Sequence, residues 1–133
     1  YGIPINGFQE RWSRFDNCLA AFLSHYELWR RSVDRDEEIT IFEHDAVVVN
    51  PIPEWLVYDG CISFGAPSYG KFNTPPTLGV NPLTSKRYFP GAHAYRVKPA
   101  AAAALIKESQ NSQQTYFWAR RGFRGFRNTT HGP

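Results

Sequence analysis

Ile39-Thr40-Ile41-Phe42-Glu43-His44-Asp45-Ala46-Val47-Val48-Val49 is the stretch on which the fold turns. It opens on four β-favouring residues, which predict a strand over 39–42. Three polar residues then interrupt it, a second apolar run follows, and Asn50-Pro51-Ile52-Pro53 stops it. In open α/β sheets ligands sit beyond the carboxyl ends of strands. Glu43 and Asp45 stand at such an end, two places apart, and on an extended segment side chains alternate, so both carboxylates are expected on one side. Two convergent carboxylates are hard oxygen ligands suited to Mg²⁺ or Mn²⁺, which keep open positions for diphosphate oxygens. The same two acids also suit an ordinary turn at a strand end. His44, between two strand-like runs, reads either as a ligand or as a hydrogen-bonded filler.

On the amino side of this stretch, Leu19, Phe22, Leu23, Tyr26 and Trp29 recur at helical spacing. Asp16 or Asn17 is the expected cap, and the charged residues 34–38 are expected to form the loop that ends the helix. Within it, Ser24 and His25 are adjacent and therefore diverge on the helix surface, so adjacency alone makes no catalytic pair. On the carboxyl side, residues 54–58 suggest a short helix and Cys61-Ile62-Ser63-Phe64 a short strand between glycines. Residues 65–87 are rich in Gly, Pro, Ser, Asn and Thr, a loop long enough to suggest a functional lid carrying Lys71, Lys86 and Arg87. Residues 88–97 read as extended. Pro99 suits the first turn of a helix through Ala100 and Glu108, and 109–114 read as a polar linker. The order helix, strand, strand, loop, strand, helix predicts an α/β layered domain over residues 1–115, followed by a basic aromatic arm over 116–133.

The 133 residues suffice for one domain with its own core. With 42% hydrophobic and 20% charged residues, the composition excludes a disordered chain. No apolar run approaches the roughly 20 residues of a membrane span, and no signal-like leader opens the chain. The chain contains no Met and begins Tyr1-Gly2-Ile3-Pro4, so a missing N-terminal piece is expected. Of 15 Lys and Arg, four (Arg120, Arg121, Arg124, Arg127) lie beyond Tyr116 and none of the 12 acids does. The rest of the chain therefore holds 11 bases against 12 acids, and a nucleic-acid footprint over the whole domain is not supported. The terminal arm, with its interleaved phenylalanines, suits either a solvated tail or phosphate binding with base stacking. Cys18 and Cys61 are expected as free, buried thiols in a reducing cytoplasm, although one long-range disulfide is the alternative. No CxxC is present, and His25, His44, His93 and His131 are scattered, which argues against a structural zinc site. Gly-rich phosphate loops are absent.

Three segments in order, spanning about residues 17–108, resemble glycosyltransferase family 25, the lipooligosaccharide-type galactosyl- and glucosyltransferases. The first runs Cys18-Leu19-Ala20-Ala21-Phe22-Leu23-Ser24-His25-Tyr26-Glu27-Leu28-Trp29 and is similar to the family's Cys, Leu-Ser-His and Trp helix. The second, Ile39 to Ala46, is similar to its strand and acidic motif. The third is Phe89-Pro90-Gly91-Ala92-His93-Ala94-Tyr95 with Pro99 and the alanines. The resemblance implies a Rossmann-like layered domain of the A-type glycosyltransferase fold, one without a complete N-terminal strand. It implies transfer of a sugar from a nucleotide-diphosphate donor to a glycan or lipid-linked acceptor hydroxyl, with Mn²⁺ or Mg²⁺.

Carried over by position, Asp45 and Glu43 would hold the metal, and Glu43, Ser24, His25, Gly91 and Tyr95 would line the donor site. The sequence departs from the pattern at the middle acid, which is His44, in residues 1–15, which lack the family's opening Asn-Leu strand, and beyond Glu108, where no acid follows. No catalytic base is thereby assigned. The alternative is a non-catalytic module of the same fold that binds nucleic acid or an anionic partner through its arginine-rich tail.

Overall fold

The computed structural model describes residues 1–4, 14–64 and 92–111. Gly91, the proposed lid at 65–87 and the arm at 116–133 lie outside the described residues.

Helix α1 runs Phe15–Arg35. Its buried positions are Phe22, His25, Tyr26, Trp29 and Ser32, a stripe at spacings of three and four that faces the core. Leu19 and Leu23, expected on the same face, are only half-buried, and His25 takes a core position instead. No side chain caps the N-terminus: Arg14 stands there, and Asp16 falls in the first turn, where its charge favours the helix dipole. The helix continues through Asp34 and Arg35, past the point where the charge cluster suggested a loop. It stops because Asp36 turns left-handed, at φ 51°. The amide of Glu37 then donates back to the Ser32 carbonyl at 3.1 Å, and that of Asp36 to Val33 at 3.2 Å. The Ser32 hydroxyl donates to the Glu37 carbonyl at 2.6 Å and locks the same turn.

Strand β1 is Ile39–Phe42, β2 is Cys61–Ser63 and β3 is Ala94–Val97. They form a sheet in the order β1-β3-β2, and each pairing among the described residues is antiparallel. Because both outer strands oppose β3, they run in the same direction as each other. Their carboxyl ends therefore emerge at one edge, beside the start of β3. Register fixes this, with Phe42 opposite Ala94 and Ser63 opposite Tyr95. Beyond the strands the Glu43 amide donates to the His93 carbonyl at 2.8 Å, and the Phe64 amide to Ala94 at 2.9 Å.

Helix α2 is Pro99–Asn111. It outruns the expected end at Glu108 because Ser109 is buried and its hydroxyl donates to the Leu105 carbonyl at 2.7 Å. Gln110 reaches the Tyr26 hydroxyl on α1 at 3.0 Å. Both helices pack together over one face of the sheet. Phe22, Tyr26 and Trp29 of α1 meet Ile41, Cys61, Tyr95 and Val97 of the strands and Ala101, Ala102 and Leu105 of α2. The small alanines let α2 approach closely. Across the opposite face, Arg96 donates from Nε to the Thr40 hydroxyl at 2.8 Å and lies over the Phe64 ring. Cys18 and Cys61 form no disulfide; Cys61 is buried, Cys18 half-buried.

Two further expectations are corrected. Residues 46–49 form no strand, and Val47, Val48 and Val49 are 83%, 60% and 82% exposed. Residues 54–58 form no helix; a turn covers only Glu54 and Trp55. Among the described residues, no helix is long and apolar enough to cross a membrane.

Candidate functional site

The edge where β1 and β2 end and β3 begins carries a cleft of about 690 Å³. Phe42, Glu43 and Asp45 line it from β1 and the turn after it, Phe64 from the end of β2, and His93 and Ala94 from the start of β3. Residues 46–53 supply its other wall, which is mostly Val, Ile and Pro. The second apolar run of the opening stretch therefore borders the cleft instead of pairing in the sheet.

The two acids reach this cleft by a different route from strand alternation. The strand ends at Phe42, and the amide of Ala46 donates to the Glu43 carbonyl at 3.1 Å, which closes a four-residue turn. Glu43 and Asp45 thus occupy a turn, not an extended segment. Glu43 is half-buried, while Asp45 and His44 are exposed. His44 is not among the lining residues.

Behind Glu43 lies a chain of buried polar groups. His25 Nε2 sits 3.0 Å from Glu43 Oε1. Its Nδ1 sits 2.8 Å from the Tyr95 hydroxyl. The Trp29 indole N–H donates to that same hydroxyl at 2.8 Å. His25 and Trp29 come from α1, one turn apart on its core face, Glu43 from the end of β1, and Tyr95 from β3. The His25 and Tyr95 rings are parallel to within 6°. His25 is 4% and Tyr95 1% exposed, so they meet the cleft only through Glu43.

The electrostatics follow from this geometry. The hydrogen bond from His25 holds the Glu43 carboxyl below the ordinary carboxylate value; partial burial opposes this, and the charges of His25, His93 and His44 add to the lowering. Burial pushes the Tyr95 phenol well up, so its hydrogen stays in place at neutral pH, although the Trp29 bond pulls the other way. Burial likewise raises the Cys61 thiol and leaves it a small inert hydrophobe.

Of the residues singled out from sequence, Glu43, His25 and Tyr95 are brought into one network, and Asp45 shares the cleft with Glu43. Ser24 is not brought in. It points outward and donates to the Ala20 carbonyl one turn back at 2.9 Å. Trp29 and His93 were missed as functional. Trp29 follows His25 by one helical turn, which was the available signal. His93 precedes β3, and only the register of that strand places it beside Glu43.

Among the described residues, no group of three or more His, Cys, Asp or Glu is arranged to hold a metal ion. A closed structural site is therefore not formed by them. Glu43 and Asp45 both border the open cleft, and Mg²⁺ or Mn²⁺ take one or two protein carboxylates and fill the rest of their shell with phosphate oxygens and water. Comparison with known proteins finds no match to the chain among family models, curated proteins or solved structures.

Proposed function

We propose that this chain is a nucleotide-sugar-dependent glycosyltransferase domain of Rossmann-like, A-type fold, resembling glycosyltransferase family 25 and acting in the cytoplasm on a glycan or lipid-linked acceptor. The observation that carries this is convergence. The three segments on which the resemblance rests contribute His25, Glu43 and Tyr95 to one buried hydrogen-bond network at the edge of one cleft. Each of these residues belongs to a segment that carries the likeness, and that is what supports the reading.

Asp45 and Glu43 would hold the cation, which neutralises a departing diphosphate when bound. Glu43 bonds His25 through Oε1 and borders the cleft. The low position of its carboxyl keeps it ionised and ready to accept a cation at neutral pH. Residues 46–53 wall the cleft with mostly Val, Ile and Pro side chains. No base is assigned to the acceptor hydroxyl.

Titration calorimetry with Mn²⁺ and a panel of nucleotide-diphosphate sugars tests the proposal. Saturable, cation-dependent binding that is lost in Asp45→Ala is expected. Binding to DNA or RNA that weakens steeply with salt and survives Asp45→Ala would instead identify a binding module acting through its basic tail.

A further inference from the structure

We propose that Trp29 and Tyr95 fix His25 as the tautomer protonated on Nε2, and that His25 so held is the positioning residue that sets the Glu43 carboxylate at the cleft. The positioning role rests on the transferase reading above; the tautomer rests on the hydrogen bonds alone.

With His25 neutral, the hydrogen bonds at the two ends of the chain give it one direction. An indole N–H only donates, so the Tyr95 oxygen accepts from Trp29 at 2.8 Å. An ionised carboxylate only accepts, so the hydrogen between His25 and Glu43 at 3.0 Å belongs to Nε2. A neutral imidazole carries one such hydrogen. Nδ1 is then an acceptor, and the Tyr95 hydroxyl 2.8 Å away has one hydrogen to give it. The three bonds of the series Trp29, Tyr95, His25, Glu43 then point the same way. The opposite tautomer would set a bare nitrogen against a carboxylate oxygen.

Such a series is stiff. Trp29 is 3% exposed, and both it and His25 are held on α1, while Tyr95 is paired on both sides within the sheet. The helix therefore sets where Nε2 lies, and Nε2 in turn sets where one oxygen of Glu43 lies. Groups that orient a metal-binding carboxylate in this way typically change metal affinity or activity by about 10–100-fold when removed.

Two arms test this on the full chain. The first is long-range proton–nitrogen NMR on protein labelled with ¹⁵N in its histidines, recorded at pH 7.5 without metal or nucleotide. The expected spectrum gives His25 a protonated Nε2 and an unprotonated Nδ1, with the Nδ1 signal displaced in Tyr95→Phe. A protonated Nδ1, alone or together with Nε2, overturns the assignment.

The second arm compares His25→Gln with His25→Asn in Mn²⁺ and nucleoside-diphosphate binding, with circular dichroism to confirm folding. The Gln amide nitrogen stands near the place of Nε2, that of Asn near Nδ1. His25→Asn is expected to weaken binding by about 10–100-fold, and His25→Gln to restore most of that loss. Equal losses in the two folded variants overturn the positioning role. A native chain that shows the expected tautomer but binds no cation with nucleotide overturns the transferase reading and the positioning role with it, while supporting the tautomer.

Discussion

Replacing Tyr95 by Phe removes one oxygen and two buried hydrogen bonds while leaving the ring in place. The Trp29 indole N–H loses its acceptor and His25 Nδ1 loses the hydroxyl that faces it. A buried donor or acceptor that loses its partner costs roughly 1–3 kcal/mol, so the pair costs about 2–6 kcal/mol. Ring packing against the core is unchanged and adds nothing. Against a typical stability of about 5–15 kcal/mol, this is a large fraction. The assay is urea denaturation followed by circular dichroism, with the slope of the transition unchanged so that the shift in midpoint reads stability.

Tyr26→Phe is the control. Its ring is equally buried, but its hydroxyl accepts from Gln110, whose side chain lies at the surface and can turn to water. That variant should cost about 0.5–1.5 kcal/mol. If Tyr95→Phe costs no more than Tyr26→Phe, the Tyr95 hydroxyl is not the hub of a satisfied network, and the reasoning fails.

Asp36→Gly should raise stability by about 0.5–1 kcal/mol, since a left-handed residue at the end of α1 strains any side chain; an unchanged or lower urea midpoint would count against it. Ser24→Ala should leave stability within about 0.5 kcal/mol and leave nucleotide binding unchanged, because Ser24 faces solvent and bonds only its own helix; a binding loss would return Ser24 to the site. The Glu43 carboxyl is held low in the folded chain, so its contribution to stability is present above the ordinary carboxylate range and is lost as the pH falls through the folded value. Glu43→Gln should therefore lose less stability between pH 7 and pH 3 than the native chain does, and equal losses in paired denaturation curves would refute this.

Strand β1 was legible to the residue, since Ile39-Thr40-Ile41-Phe42 is a β-favouring run ended by charge. The helix beginning at Pro99 was legible for the same local reason, the fixed φ of proline followed by alanines. What was not legible depended on distant partners. Val47, Val48 and Val49 have strand propensity, but the turn closed by Ala46 carries them out of the sheet, and propensity yields to that geometry. The last turn of α2 forms because Gln110 finds Tyr26 on another helix. At the site, the order of Ser24 and His25 on α1 already implied divergence, and it was the buried member that joined Glu43. The acids at 43 and 45 were found by an alternation argument that the turn replaces. His93 was invisible without strand register, because 49 residues separate it from Glu43 while the sheet sets its carbonyl against the Glu43 amide.

The most direct measurement of the central claim is paramagnetic broadening by Mn²⁺ in the amide spectrum of the ¹⁵N-labelled chain, with a panel of nucleoside diphosphates present. If the cleft at the β1 edge holds the cation, the signals of Glu43, His44, Asp45, Ala46 and His93 should fade first, at Mn²⁺ well below the protein concentration, and Asp45→Ala should preserve them. Broadening that is uniform, centred elsewhere, or unaltered by Asp45→Ala would contradict the account.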